Sequence, residues 1–353
     1  MDARDRPDGL TRRDLLRGGA GVLAAGALPG CRRGLDLPPG RRLVSYLAVG
    51  DIGDPHGLEG RTAAQWLVAR AMAAQHRVAP VDGLLFLGDH FYPDGLANAE
   101  FEERVGDQIV APYRDFVTLT PRGQRLYGGP AEAQPPVRIL AVLGNHDFGL
   151  PESPGLQIEG IPRLVANWHM PAADTSTVDL GHGVRVALLH EPRWGKNDAR
   201  ALAAALVAEP ADFWIVAGHY PLPEIGGEHA HRVERKLRAV YREVRRPVHL
   251  QICGHEHNLQ VLRTEPPGPA LIVVAGGGSN THALSPTRAE TRDFGLDSLG
   301  FARIDVVGAT RAEALRVTLF AVDRLSGWRD PAGRRVACSW IDRDGRVRTE
   351  TRA

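Results

Sequence analysis

The chain has 353 residues, 43% hydrophobic and 24% charged, with 43 basic residues against 42 acidic ones and a formal net charge of +1. That length supports a large buried core, and the composition is that of a globular protein and not of a disordered chain. The charge balance lacks the basic excess that grips phosphate backbones, so no nucleic-acid partner is expected.

In chain order the first element is a leader. TRRDLLRGGAGVLAAGALPGC places Arg12 and Arg13 ahead of Leu15 and Leu16, followed by a Gly/Ala/Leu run and then by Leu28, Pro29, Gly30 and Cys31. The run is about eleven residues long, too short and too glycine-rich to span a bilayer as a helix. It resembles a twin-arginine export signal, with Thr11, Arg12, Arg13, Leu15 and Leu16 as the matching core. That resemblance implies a signal peptide over 1–31, the twin-arginine export machinery as a partner, and an exported protein of the periplasm or cell envelope. Cys31 stands where a lipoprotein signal carries its acylated cysteine, so a lipid anchor is an expectation and would be the sole membrane contact. The rest, 32–353, reads as a single domain: it has no internal repeat, and its linker-like pieces are the Pro/Gly segments at 38–40 and 266–269.

Six apolar runs then recur, each closing on a glycine: LVSYLAVGD (43–51), GLLFLGD (83–89), VRILAVLGNHD (137–147), FWIVAGHY (213–220), VHLQICGHEH (248–257) and ALIVVAGGG (270–278). With little period-two alternation, each predicts a strand buried on both faces. Helices are predicted over 61–77, 98–110, 198–208 and 231–244; in the third, apolar residues recur at spacings of three and four, and Asp198 sits near the start, where a helix favours a negative charge. Strands alternating with helices predict an α/β layered fold. STVDLGHGVRVALLHE predicts a hairpin around Gly181 and Gly183. The tail predicts antiparallel strands, with Asp344 and Gly345 at a hairpin corner, forming a second sheet or the edge of the first. Cys253, inside a predicted strand, is expected to be a buried free thiol, and could bridge Cys338 only if the fold brought the two together.

Five polar clusters fall at strand ends: Asp51; Asp89 and Tyr92; Asn145, His146 and Asp147; His219; His255 and His257. In open α/β sheets the loops that follow the strands converge, so ligands bind there. A set of carboxylates, a phenol, an amide and imidazoles suits no nucleophilic triad, since no Ser, Cys or Thr stands in an elbow motif. It suits metals: imidazole and carboxylate bind first-row ions, and phenolate favours a highly charged ion such as Fe(III). Seven donor groups exceed what one open site needs, which predicts two ions sharing a carboxylate. Each block alone also fits a turn or a core aromatic; the ordered joint occurrence is what points to metal chemistry.

The blocks GDIG, GDHFY, GNHD, VAGH and GHEH resemble, in order, those of the calcineurin-like metallophosphoesterases, and specifically the purple acid phosphatases. Gly53 stands where the wider superfamily carries a histidine, and Tyr92 appears in the second block, as in the purple branch. AGHYPLPEIGGEH, CGHEHNLQVL and VAGGGSN extend the likeness to the small tartrate-resistant acid phosphatases over roughly 43–282. The resemblance implies a two-sheet β-sandwich core flanked by helices in αββα layers. It also implies Fe(III) on Asp51, Tyr92 and His257, a divalent ion (Fe, Zn or Mn) on Asn145, His219 and His255, and Asp89 bridging them.

Its implied reaction is hydrolysis of a small phosphate ester by water activated at the metals, with His146 stabilising the phosphate or protonating the leaving group. His229, one residue further from His219 than its counterpart in the small relatives, is a second catalytic candidate. Asp147 is expected to orient His146, and His90 to be a bystander. The walls of the pocket are expected from 151–175 and 279–299. Two other functions fit the same residues: a phosphodiesterase or nucleotide phosphatase, and a surface lipoprotein binding metal or phosphate without turnover.

Overall fold

In a computed structural model of the chain, which describes residues 41–53, 64–129, 137–222, 228–285, 291–323 and 331–351 (for 228–231 the backbone alone), every one of the six apolar runs forms a strand. The leader with Arg12, Arg13 and Cys31, and residues 61–63 of the first predicted helix, lie outside the described residues. The strands are β1 (Arg41–Val49), β2 (Gly83–Leu87), β3 (Arg138–Val142), β4 (Trp168–His169), β5 (Thr175–Gly181), β6 (Val184–Leu189), β7 (Phe213–Ala217), β8 (Leu250–Cys253), β9 (Leu259–Leu262), β10 (Leu271–Ala275), β11 (Arg292–Leu296), β12 (Leu299–Gly308), β13 (Ala312–Val322), β14 (Arg334–Asp342) and β15 (Val347–Thr351). The α-helices are α1 (Ala64–Val78), α2 (Phe101–Val105), α3 (Pro121–Tyr127), α4 (Ser153–Gly155), α5 (Lys196–Ala208) and α6 (Glu228–Glu243).

Two mixed sheets result, ordered β15-β14-β13-β12-β1-β2-β3-β4 and β11-β9-β10-β8-β7-β6-β5. β1, β2 and β3 run parallel, with Ala48 beside Leu85 and Leu85 beside Leu140. β6, β7, β8 and β10 run parallel in the other sheet. The tail strands join the first sheet through the antiparallel pairing of β12 with β1, which decides between the two tail arrangements the sequence allows. The β14–β15 hairpin turns at Asp344 and Gly345, where Gly345 takes φ 76°.

The doubly apolar strands fill three layers of core. Between the sheets lie Ala48, Leu85, Leu140, Ile215, Ile252, Val273 and Ile304. α1 covers the outer face of the first sheet through Val68, Ala69 and Met72, against Leu47, Val49 and Phe86. α5 and α6 cover the second through Leu202, Leu206, Leu237 and Val240, against Trp214, Val216 and Val274. The order is therefore helix, sheet, sheet, helix. Over 98–110 the predicted helix is a helical path of three geometries: a 3-10 turn, α2, and a π turn at Gly106–Val110 in which the Ala111 N–H donates to the Gly106 carbonyl at 2.8 Å. Gly106 lies against the Tyr127 ring, where a Cβ would come within 2.7 Å. The segment 151–175 likewise holds helical turns and β4. Cys253 and Cys338 are buried, on strands of different sheets, and do not bridge each other. Among the described residues no helix is long and apolar enough to cross a membrane.

Candidate metal centre

The C-terminal ends of β1, β2, β3, β7 and β8 deliver side chains from both sheets to one place. The chain bends there through an uncommon backbone: Asp51, Asp89, His255 and His257 take φ of 58°, 55°, 69° and 50°, a left-handed region in which non-glycine residues cost energy and concentrate at functional sites. Glycines make the approach possible. A Cβ on Gly144 would lie 2.2 Å from Asp89 Oδ1, and one on Gly88 (φ 89°) would lie 2.7 Å from the Gly144 Cα.

Two groups of donors meet at Asp89. In one, the Tyr92 hydroxyl lies 3.3 Å from Asp51 Oδ1, 3.1 Å from Asp89 Oδ2 and 3.0 Å from His257 Nε2. In the other, His219 Nε2 lies 3.3 Å from Asp89 Oδ2, 3.0 Å from Asn145 Oδ1 and 3.3 Å from His255 Nδ1. All seven residues expected to hold metal are thus in contact. Asp51, Asp89, Tyr92, His219 and His257 are buried, while Asn145 and His255 are partly exposed. His146 borders the set, its ring 4.5 Å from that of Tyr92 and its Nδ1–H donating to the Pro93 carbonyl at 2.5 Å. His229 belongs to the first turn of α6, and its side chain lies outside the described residues.

The bonds fix the imidazoles. His219 Nδ1–H donates to the Leu87 carbonyl at 2.8 Å; a carbonyl can only accept, so Nε2 is the nitrogen turned toward Asp89, Asn145 and His255, where it carries a proton in the metal-free protein and a lone pair for metal once that proton leaves. The Asp89 and Asn145 oxygens converging on that nitrogen form a place for a cation. Burial opposes charge on His219, yet Asp89 outweighs it and raises the imidazole to about 10, with Asp89 held correspondingly low. Burial raises the Asp51 carboxyl, and burial followed by the Asp51 and Asp89 charges raises the Tyr92 phenol. Burial and then His282 push His257 down to about 4. The donor atoms of Asp51, Asp89 and His219 lie within 4.8 Å of one another. This largely buried, oxygen- and nitrogen-lined cluster fits metal ions, whose charge would favour the ionised carboxylates and phenolate that burial alone disfavours.

One expectation is corrected. Asp147 does not orient His146: its buried carboxylate accepts the backbone N–H groups of Asp89, His90 and Gly144 at 2.9, 3.0 and 2.9 Å, and the Gln157 side-chain amide at 3.0 Å. Three backbone donors fix a carboxylate more firmly than one exposed ring could. His90 is fully buried and donates through Nδ1 to Gln157 Oε1 at 2.9 Å, as part of this support. The sequence reading also missed Glu191, whose buried Oε2 accepts the N–H groups of His219 and Tyr220 at 2.6 Å each. Its signal was present: LLHE closes β6 as a polar strand end, though without the glycine. Ser279 and Asn280, which follow the sixth glycine-ended run, were missed in the same way.

The sequence matches the family of calcineurin-like phosphoesterases over residues 46–259. Tartrate-resistant acid phosphatase type 5 of Sus scrofa is 26% identical over 319 residues, covering 79% of this chain and 86% of that protein. The Homo sapiens protein of the same name is 26% identical over 236 residues, covering 63% and 69%. Among solved structures, the fold is similar to GAP50, the anchor in the inner membrane complex of Plasmodium, at TM-score 0.57 and 16% identity over 80% of this chain and 86% of that one. It is also similar to purple acid phosphatase PPD1 from yellow lupin (Lupinus luteus) seeds, at TM-score 0.57 and 15% identity over 88% of this chain and 54% of that one.

Proposed function

This chain belongs to the calcineurin-like phosphoesterase family and is a phosphoric-ester hydrolase; from that premise we propose that it is an exported acid phosphatase of the purple type, acting on small phosphate monoesters. The observation that carries this reading is the Tyr92 hydroxyl in contact with Asp51, Asp89 and His257, because a phenol among carboxylates selects a trivalent ion over softer or less charged ones. Asp51, Tyr92 and His257 would hold Fe(III), and Asn145, His219 and His255 a divalent ion (Fe, Zn or Mn), with Asp89, touching both groups, as their shared ligand. A pair of ions bound there would supply Lewis acidity to the ester and lower the pKa of water. With Nδ1 committed to the Pro93 carbonyl, His146 offers Nε2 to the substrate. When doubly protonated, His146 would give its Nε2 proton to the departing alcohol oxygen as water forms the new P–O bond and the old one breaks, the proton of the attacking water passing to solvent.

Visible absorption and ester hydrolysis test the reading together. The purified protein is expected to be coloured by tyrosinate-to-iron charge transfer, to lose the colour in Tyr92→Phe, and to prefer p-nitrophenyl phosphate to the bis ester below neutral pH. A colourless protein holding only zinc or manganese would remove the iron assignment, and preference for the bis ester would favour the phosphodiesterase alternative.

Export rests on the leader, 1–31, with 32–353 as the mature domain. A route that carries folded proteins suits a buried centre whose donors come from loops of two sheets, since metals loaded in the cytoplasm would stay enclosed. Arg12→Lys combined with Arg13→Lys is expected to retain the protein in the cytoplasm, and unchanged fractionation of that variant would refute the export reading. Cys31 acylation, if present, would tether the mature chain to the membrane.

A further inference from the structure

The segment that leaves β10 touches two of the three neighbours of Tyr92, Asp51 and His257. The buried Ser279 hydroxyl lies 3.0 Å from the Asp51 carbonyl and 2.7 Å from the Gly53 carbonyl, so its one proton serves the backbone that presents Asp51. His257 Nδ1–H donates to Asn280 Oδ1. An amide oxygen can only accept, so this bond fixes the tautomer and turns the His257 Nε2 lone pair toward Tyr92 and Asp51, 3.3 Å away. The exposed His282 stacks on the same ring at 4.1 Å with 8° between planes, and its backbone N–H donates to the His257 carbonyl at 2.9 Å. His257 is thereby held at its ring edge, its ring face and its backbone. His219 is held by other means: the Leu87 carbonyl at its ring and Glu191 at its backbone.

We propose that Ser279, Asn280 and His282 form a brace that positions Asp51 and His257 for one of the two ions, with Asn280 as the positioning residue that decides which imidazole nitrogen is offered. This inference rests on the two-ion reading above and adds to it a support that acts on one half of the centre. Loss of such an outer hydrogen bond typically weakens metal binding about 10- to 100-fold.

The test measures ions bound per chain, and the affinity of each, for full-length wild type, Asn280→Ala, Asn280→Asp and His282→Ala titrated with zinc and with iron, beside the melting temperature of each metal-free protein. Asn280→Ala is expected to bind one of the two ions at least about tenfold more weakly, with the metal-free melting temperature unchanged and, when iron is bound, a shifted visible band. Asn280→Asp keeps an acceptor oxygen and is expected to restore binding. Both ions bound by Asn280→Ala with wild-type affinity would overturn the brace. If Asn280→Ala fails to fold, His282→Ala decides: its exposed ring can be removed without a cavity, weakening of one ion is expected, and unchanged affinity overturns the proposal. A wild type that binds fewer than two ions would overturn the two-ion reading and the brace with it, and is recognised before any variant is compared.

Discussion

His219 and His257, linked through Asp89 and Tyr92, have their pKa values shifted in opposite directions, and the difference has a thermodynamic sign. In the metal-free protein Asp89 raises His219 to about 10, above the ordinary histidine value of 6.5, while burial lowers His257 to about 4. A group whose pKa is raised on folding stabilises the fold fully below its unfolded value and loses that contribution as pH rises through its folded value. The metal-free protein is therefore expected to lose stability, on the order of a few kcal/mol, between roughly pH 6.5 and pH 10, and Asp89→Asn, which removes the partner charge, is expected to flatten that slope. Denaturant midpoints in chelator at several pH values across this window check it; equal slopes in the two proteins would show that the His219–Asp89 pair does not carry the charge. The same proton competes with metal, so affinity at the His219 half should rise with pH over this window, whereas His257 offers its lone pair at every pH above its own low value.

At the scale of elements, the strand ends were legible because a buried strand writes itself as an unbroken apolar run and its close approach to a neighbour as a glycine. GLLFLGD and VRILAVLGNHD locate β2 and β3, and the residues that follow them locate Asp89, Tyr92 and Asn145. The ordered blocks contain the seven side chains that the structure brings into contact. What stayed hidden is long-range. Asp147 accepts the N–H groups of Asp89 and His90, and Glu191 those of His219 and Tyr220, partners that neighbour them only after folding; the polar strand end was readable, its partners were not. The left-handed backbone at Asp51, Asp89, His255 and His257 was equally unreadable, because those residue types announce no positive φ as glycine does. Over 98–110 the apolar spacing correctly reported a helical path but not its π turn, which begins at Gly106, where the Tyr127 ring packs.

At the scale of the whole molecule, the donors divide between the sheets. Asp51, Asp89, Tyr92 and Asn145 follow strands of the first sheet, and His219, His255 and His257 follow strands of the second. Ions shared by these groups would join the sheets at the open end of the sandwich, beyond the reach of the apolar packing between them. They would bind the folded state and find no assembled site in the unfolded one, so they stabilise by mass action, about 4 kcal/mol at a free concentration of 1,000 times the dissociation constant. Chelation is accordingly expected to lower the unfolding free energy by that order per ion, and with it the denaturant midpoint, and hydrogen exchange should quicken first in the loops after β1, β2, β3, β7 and β8, while the tail strands β13 to β15, which contribute no donor, keep their protection. Denaturation and exchange run side by side on loaded and chelated protein check both parts. Equal midpoints at demonstrated occupancy would mean that the bound ions do not join the sheets, and quickening confined to one sheet would mean that the donors of the other hold no metal.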